Sequence, residues 1–580
     1  MTTYKAPTDD YAFLLEHLFD YSQIASLPGF TDADFDTVKE VMPEAARFFE
    51  QELAPTNLAC DQEGSHLVDG KVKVPGVIEK IHPSVVESGW LGLGNTPEYG
   101  GSGFPNVVNL AVYEMMISSN VSYSLMPILT QGVIRSLETY GSEEQKNTYL
   151  SKLISCEWSG TMNLTEANAG SDLSGVATKA VPAGDHYKLF GQKIYISWGD
   201  TELTDNVIQL VLARTPDAPE GTRGISMFIV PKYLVNPDGS LGERNDVKAI
   251  STEHKMGIHT SPTCVMQYGD NDGAVGYLVG EENKGLMYMF AVMNHARLMV
   301  GHQGIGVAER AFQQALAYSK DRIQGAIKGQ KVPIVAHEDV RRMLMEMRAL
   351  TESARAMSFY AIACEDRVSH GVDEQDKKDN HLLVDILTPL VKSWGTETAI
   401  EITSQGVQVH GGMGYIEETG AAQHLRDCRI FAIYEGTNGI QALDFIGRKC
   451  QRDGGEGLQL LLKQIADFAA GSKHEAALTQ AADQCREALT YVLANTDQAP
   501  AVAFDFMMLF CNTLAGGLMA ASHKKAQALK ESGGNSVFCD QKMATADFFV
   551  HKILPRNHAY LAGVLSPNDL GDWQQWMEAN

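Results

Sequence analysis

A segment of small and hydroxyl residues, LTEANAGSDLSG (164–175), suits the close approach of a polar ligand. Without bulky side chains, backbone amides and the hydroxyls of Thr165 and Ser171 can reach a heteroaromatic ring or a phosphate. The same composition is also typical of an ordinary turn. Taken alone, the segment therefore predicts a ligand-binding loop or a plain turn.

A second segment, GQKIYISWG (191–199), predicts a β-strand. Because side chains alternate along a strand, Tyr195 and Ser197 are expected on one face. An aromatic ring beside a hydroxyl suits a stacked ring with polar edges, whereas an ordinary half-buried strand explains the same residues.

A third segment runs from Gln408 to Gln441 and contains a carboxylate, Glu435, that follows Ile433 and Tyr434 and precedes Gly436. Apolar neighbours raise the pKa of a carboxyl by desolvation, which a general base at neutral pH requires. A lone Glu before Gly is otherwise a loop or helix-end charge. This segment therefore predicts either a base or a solvated charge.

The elements that must position these residues follow a helical, β, helical order. Apolar residues at three- and four-residue spacing predict helices from Phe35 to Cys156 and again from Gly285, while short alternating runs between Gly160 and Gly280 predict a β domain. A β domain between two helical domains forms crevices in which a flat cofactor can lie. The predicted boundaries are 1–35 (extension), 36–160 (helical), 161–282 (β), 283–450 (helical bundle) and 451–580 (extra helical domain).

Composition excludes several classes of protein. The 580 residues include 47 Lys and Arg against 72 Asp and Glu, a net charge of -25, which disfavours binding to nucleic acid. Nine cysteines without a CxxC or CxxxC pair predict neither a disulfide scaffold nor a zinc cluster. The apolar run 506–521 is short for a membrane span and predicts a buried helix. The acidic N-terminus lacks the pattern of an export signal, so we expect a cytoplasmic protein with no membrane span.

Taken together, in this order and at these separations, the three segments resemble the signatures of the acyl-CoA dehydrogenase family. The resemblance covers about residues 35–450 and implies an α+β multidomain fold: an N-terminal helical domain, a middle β-barrel-like domain, a C-terminal four-helix bundle, and here an extra helical domain. Four positions depart from the family pattern: Asn163, His259, Gln423, and Asn294 where the family usually has Asp. Arg426 and Asp427 match the pattern.

The resemblance implies FAD as the cofactor. The positions matched to the flavin and its immediate surroundings are Met162, Leu164, Thr165, Gly170, Ser171, Tyr195, Ser197, Thr437 and Asn438. The positions matched to a second subunit's FAD, including the cradle of its adenosine or diphosphate, are Arg322, Gln324, His337, Gln408, Gly411 and Gly412. An Arg suits a phosphate because its planar fork of donors binds two oxygens at once.

For an acyl-CoA substrate, the matched positions are Ser171, Asn294, Arg297 and Gly436. Some relatives carry the catalytic carboxylate one place before the Arg, where this chain has Ala296, so the resemblance leaves Glu435 as the base. The implied reaction is α,β-dehydrogenation: Glu435 removes the α-proton while the β-hydrogen leaves as hydride to flavin N5. Electrons then pass to an electron-transfer flavoprotein.

Two features resemble a long bacterial subgroup of this family: the N-terminal extension and about 130 residues beyond the bundle. That resemblance implies oxidation of 3-methylmercaptopropionyl-CoA to methylthioacryloyl-CoA in dimethylsulfoniopropionate catabolism; the alternative is a general short- or medium-chain fatty acyl-CoA. A DNA-binding flavoprotein is disfavoured, because residues 451–580 contain ten Lys and Arg against fourteen Asp and Glu. We expect the extension to cover part of the bundle or of a subunit interface, and thereby to favour a homodimer.

Overall fold

The structure, a computed structural model, describes residues 4–31, 33–566 and 573–579. It divides into two compact units. Unit 1 contains Gly29–Met299 and Met413–Ile430, with an N-terminal stretch that ends at Tyr11; unit 2 contains Ala12–Pro28, Val300–Gly412 and the chain from Phe431 onward. Neither unit is a continuous stretch of sequence.

Helices dominate the chain before residue 157, as the spacing of its apolar residues predicted. They are α1 (Thr8–Phe13), α2 (Tyr21–Ala25), α3 (Phe35–Phe48), α4 (Asn57–Glu63), α5 (Gly76–Glu87), α6 (Asn106–Ser119), α7 (Val121–Tyr140) and α8 (Glu143–Ile154), and the hairpin β1 (His66–Val68) and β2 (Lys71–Lys73) interrupts them. Asn120 separates the two most buried helices, and its side chain accepts a hydrogen bond from the Tyr123 amide to begin α7.

The predicted β domain is present in unit 1. Its strands are β3 (Trp158–Asn163), β4 (Lys179–Ala183), β5 (His186–Ser197), β6 (Asn206–Ala213), β7 (Ser226–Pro231), β8 (Tyr233–Val235), β9 (Leu241–Arg244), β10 (Val247–Thr252), β11 (Thr263–Tyr268) and β12 (Ala274–Leu278). Eight of them form one sheet in the order β10-β11-β5-β12-β7-β6-β3, with β4 beside β5. β3 and β6 pair in parallel within this sheet, and β3, β6 and β7 are buried along their whole length.

Long helices return after the sheet. They are α9 (Gly285–Asp321), α10 (Glu338–His370), α11 (Glu374–His410), α12 (Ala421–Cys428) and α13 (Asn438–Ile446), and the hairpin β13 (Ile323–Ile327) and β14 (Gln330–Pro333) joins α9 to α10. Within unit 2, α9 and α11 meet at glycines: a side chain at Gly304 would come within 2.2 Å of the Gly395 carbonyl oxygen. The backbones approach closely because neither residue has a Cβ.

The extension beyond the bundle is helical. Its helices are α14 (Glu456–Ala469), α15 (Glu475–Ala494), α16 (Ala499–Glu531), α17 (Ser536–Phe548), α18 (Asn557–Leu565) and α19 (Trp573–Glu578). It belongs to the same compact unit as the bundle, because α16 packs against α10, α11 and α13 as well as against its own neighbours.

Among the described helices, α16 alone is long and apolar enough to cross a membrane, but 89% of its most apolar window is buried inside the protein. Its Asn512 donates hydrogen bonds to the Ile553 and Leu554 carbonyls and to Asn557. The prediction of a buried helix here is confirmed. All nine cysteines are buried thiols without disulfides.

Candidate active site

Glu435 lies in a strained turn of unit 2. The backbone φ is +54° at Glu435 and +86° at Gly436, both in the left-handed region. That conformation costs a residue with a Cβ about 1–2 kcal/mol, and such strain concentrates at functional sites. Thr437 follows and ends the turn, since its hydroxyl accepts a hydrogen bond from the Ile440 amide at 3.2 Å and begins α13. The half-buried Glu435 is therefore held between fixed elements.

On the other side of Glu435, Tyr434 anchors the turn. Its ring stacks on Phe431, with centroids 5.9 Å apart, and its hydroxyl donates to the side-chain oxygen of Gln303 on α9. Burial and the neighbouring charge of Glu435 raise the pKa of Tyr434 well above its usual value. The phenol is therefore a permanent donor at neutral pH.

A buried ammonium holds the start of α13. Lys392 Nζ donates to Asn438 Oδ1 at 2.7 Å, and Asn438 Nδ2 donates to Glu397 Oε1 at 2.7 Å and to the Thr396 hydroxyl at 3.0 Å. The side chain of Asn438 is thus fully used by protein partners. Sequence analysis missed Lys392 and Glu397; the signal was a lone Lys in the otherwise apolar stretch LTPLVKSWG.

The loop after β3 is held in unit 1 by a buried ion pair. Lys193 Nζ lies 2.8 Å from Glu166 Oε1 and 3.0 Å from the Leu164 carbonyl oxygen. Burial opposes ionisation of Glu166, but the Lys193 charge, the Thr178 hydroxyl and the Ala177 amide outweigh it and lower the pKa of the carboxyl. The pair is ionised at neutral pH and fixes the backbone beside Thr165, while Gly170 and Ser171 farther along the loop are exposed.

A β-bulge presents Tyr195. The register between β5 and β11 shifts after Lys193, so that Ile194 and Tyr195 together face one residue of the partner strand. Tyr195 has a φ of +60° and is 61% exposed, whereas Ile196 and Trp198 on either side of Ser197 are buried. Bulges beside functional sites redirect side chains in this way. Tyr195 is therefore exposed, and Ser197 is half-buried.

Asn294 and Arg297 lie one turn apart on α9, in the part that belongs to unit 1. Arg297 is 8% exposed, and its guanidinium carbon is 5.9 Å from the centroid of the Phe290 ring. Asn294 is half-buried. A three-residue spacing places both side chains on one side of the helix, where they can contact one ligand.

The hairpin between α9 and α10 brings three predicted residues together. Arg322 lies 3.5 Å from the Gln324 side-chain oxygen, and His337 Nε2 lies 2.8 Å from the Gln324 carbonyl oxygen. Gly325 permits this approach, because a Cβ there would be 2.9 Å from the His337 ring. Arg322 and Gln324 are exposed in the single chain.

Two glycines end α11. Gly411 has a φ of +59° and its amide donates to the Gln408 carbonyl, while no atom lies within 4 Å of where a side chain on Gly411 or Gly412 would begin. Gln408 is exposed beside them. This open backbone suits a phosphate or an adenine ring.

A second buried cluster in unit 1 contains the retained Arg426 and Asp427. Arg426 and His259 both pair with Asp61, at 2.6 and 2.9 Å, and Asp427 accepts hydrogen bonds from the Ile258 amide and from Gln423. Burial and the charge of Asp61 raise the pKa of Asp427 to about 6. His259 and Gln423, which depart from the family pattern, therefore both bind carboxylates of this cluster.

FAD fits the described residues. Unit 1 has an exposed ring at Tyr195, an exposed hydroxyl at Ser171, half-buried hydroxyls at Thr165 and Ser197, and a fixed loop, which suit a flat heteroaromatic system; Met162 is buried on β3. Unit 2, taken by itself, has open glycines at the end of α11 and an exposed Arg322, which suit the nucleotide part of an FAD that a second subunit holds, as the resemblance implies.

Family models match four consecutive stretches of the chain. Residues 36–157 match the acyl-CoA dehydrogenase N-terminal domain, 161–270 the middle domain, and 283–450 the C-terminal domain. Residues 461–570 match a domain described as acetyl-CoA dehydrogenase C-terminal like. The matches include most of the chain.

Whole proteins match as well. The chain is 44% identical over 569 residues to 3-methylmercaptopropionyl-CoA dehydrogenase of Ruegeria pomeroyi, covering 95% of this chain and 96% of that protein. It is 35% identical to a butyryl-CoA dehydrogenase of Syntrophomonas wolfei, covering 92% and 90%. The acyl-CoA dehydrogenase of Bacillus anthracis complexed with FAD shares the fold, with a TM-score of 0.75, 23% identity and coverage of 96% and 92%. By its sequence over nearly its full length and by its fold, this chain belongs to the acyl-CoA dehydrogenase family.

Proposed function

We propose that this FAD-dependent oxidoreductase converts 3-methylmercaptopropionyl-CoA to methylthioacryloyl-CoA. The observation that carries the proposal is the 44% identity to the Ruegeria pomeroyi enzyme, which extends through the extra C-terminal domain. The short family members lack comparable length: a short-chain enzyme of Megasphaera elsdenii matches only 70% of this chain.

Glu435 is the proposed base. Its carboxylate takes the α-proton of the thioester, and the turn that holds it limits where the carboxylate can go, so that orientation rather than base strength supports the step. Flavin, when bound, accepts the β-hydrogen together with its electron pair. The backbone amide of Glu435 is the proposed donor to the thioester oxygen, whose negative charge grows as the proton leaves.

Arg297, Asn294, Ser171 and Gly436 are the proposed substrate contacts. The guanidinium of Arg297 supplies a permanent charge for a CoA phosphate or carbonyl oxygen, and Asn294 supplies a neutral amide where a carboxylate would repel phosphate. Thr165, Tyr195 and Ser197 are proposed to contact the flavin, with Met162, Leu164, Gly170, Thr437 and Asn438 around it.

Arg322, Gln324 and His337 are proposed to reach the FAD of a second subunit in a homodimer, together with Gln408, Gly411 and Gly412. The hairpin supports this assignment, because it also exposes Ile323, with 57% of its surface accessible, and Ile327. Exposed apolar side chains beside an Arg suit a protein–cofactor interface. A cytoplasmic location and electron transfer to an electron-transfer flavoprotein complete the proposal.

A second candidate function is the oxidation of a plain short acyl-CoA. The Syntrophomonas wolfei relative, a butyryl-CoA dehydrogenase, matches over almost the same length at 35% identity. The two candidates share the chemistry and differ in the acyl group.

The test is an anaerobic absorption titration of the purified holoprotein with 3-methylmercaptopropionyl-CoA, butyryl-CoA and octanoyl-CoA. We expect the flavin bands to bleach fastest with the thioether substrate, and not to bleach in Glu435→Gln, which keeps the shape of the side chain. Faster bleaching with butyryl-CoA would favour the second candidate. Bleaching at the wild-type rate in Glu435→Gln would remove Glu435 as the base.

A further inference from the structure

Two buried imidazoles and a carboxylate converge in the C-terminal extension, outside every residue assigned to the dehydrogenase reaction. His474 precedes α15, His523 lies within α16, and Asp547 lies near the end of α17. One ligand atom from each lies within 4.8 Å of the other two. Three segments of unit 2 therefore bring metal-type donors to one point.

The spacing suits a small transition-metal ion. Nε2 of His474 is 2.9 Å and Nε2 of His523 is 3.6 Å from the same oxygen, Oδ1 of Asp547. Tetrahedral zinc with bonds of about 2.0–2.2 Å places its ligand atoms roughly 3.4 Å apart. If the ligand atoms move by about 1 Å through side-chain rotation, all three donors reach such an ion.

His523 is buried and its ring lies beside the same carboxylate. The residue is 4% exposed, and its Nε2 is 3.6 Å from Oδ1 of Asp547. That distance is too long for a hydrogen bond, whereas an ion between the two atoms would contact both of them. His551 lies next to the cluster, with its ring centroid 5.8 Å from that of His474, and offers a further imidazole.

We propose that His474, His523 and Asp547 bind one divalent transition-metal ion of the zinc class, which joins the start of α15 to α16 and α17. Two imidazoles and one carboxylate form a donor set that such ions prefer, whereas Mg²⁺ and Ca²⁺ prefer oxygen ligands. The cysteine spacing predicted no zinc cluster. It could not indicate this site, because the proposed ligands are His and Asp residues separated by 24 or more positions.

Lys473 is the competitor for this position. Its Nζ lies 2.7 Å from Oδ1 and 2.8 Å from Oδ2 of Asp547, so without a metal its charge balances the carboxylate. The Lys473 side chain is half exposed and can swing into water when a doubly charged ion arrives. Metal binding is therefore an exchange of one cation for another.

The experiment is equilibrium dialysis of the chelator-treated, full-length holoprotein against Zn²⁺, with Co²⁺ difference spectra to report coordination by nitrogen ligands. We expect one ion per chain, binding at least about 100-fold weaker in His523→Ala, since a direct ligand contributes more than the outer-shell partners whose loss costs 10–100-fold. Lys473→Met should bind about 10-fold tighter, because it removes a positive charge from the site. His381→Ala, which removes an exposed imidazole on α11, is the matched control and should bind as wild type does.

Absence of Zn²⁺ binding by the wild type would overturn the proposal, as would binding that survives in His523→Ala or disappears in His381→Ala. Circular dichroism and flavin content establish that each variant is folded. If His523→Ala does not fold, Lys473→Met decides, because it keeps all three ligands: unchanged or weaker binding would then overturn the proposal. Turnover is not needed as a readout, so a failed dehydrogenase assay leaves the metal site untouched.

Discussion

The buried pair of Lys193 and Glu166 gives a sharp test of how the loop after β3 is held. The Lys193 side chain is fully buried and that of Glu166 is nearly so. In Lys193→Met, three donors still reach Glu166, from the Ala177 amide and from the amide and hydroxyl of Thr178, but the countercharge is gone. Removing one partner of a buried pair costs about 3–5 kcal/mol, because it leaves an uncompensated charge.

This loss converts to a thermal shift. At roughly 2 °C per kcal/mol for a cooperative unit of this size, Lys193→Met should lower the unfolding midpoint by about 6–10 °C. The matched control is Lys188→Met on the same strand, because Lys188 pairs with the exposed Asp272. A surface pair contributes less than about 1 kcal/mol, so the control should shift the midpoint by less than about 2 °C.

The assay is near-ultraviolet circular dichroism during heating, with flavin content measured on the same samples. Lys193→Met should also retain less FAD, because the Leu164 carbonyl loses its bond to Nζ beside Thr165. The double variant Lys193→Met/Glu166→Gln should recover more than half of the lost stability, since no charge remains buried. The reasoning is refuted if Lys193→Met is as stable as Lys188→Met, or if the double variant simply adds two losses.

Three further predictions concern other residues. Lys392→Met removes the donor to Asn438 and should lower kcat about 10- to 100-fold with little change in KM, since it shifts the turn of Glu435 rather than a substrate contact; an equal change in kcat and KM would contradict this. Glu435→Asp withdraws the carboxylate by one methylene and should lower kcat about 100-fold while the FAD content stays at the wild-type level. For Asp427, whose pKa is raised to about 6, the folded state binds the proton more tightly, so the stabilisation is present below about pH 4 and is lost as the pH rises through 6, a change of about 3 kcal/mol. Asp427→Asn lacks this titration, and its thermal midpoint relative to wild type should therefore rise between pH 4.5 and pH 7.5; a constant difference would contradict the assignment.

The order of the domains and the family were determined by the sequence itself. Helical spacing before residue 157 and after Gly285, and strand alternation between them, come from neighbours within a few residues, so each segment carries its own signal. The same holds for the burial of α16, whose apolar residues lie within one helix. The fold class and the family were therefore within reach of the sequence.

Only the tertiary structure decided how the candidate site residues are held. Lys193 and Glu166 are 27 positions apart and Lys392 and Asn438 are 46 apart, so neither pair can be recognised from its own segment. The positive φ values of Tyr195 and Glu435 arise from a bulge against β11 and from a turn fixed by Tyr434 and Thr437. Such features depend on which distant segments pack together, because the free energy of burying a charge or straining a backbone is set by the partners that packing supplies.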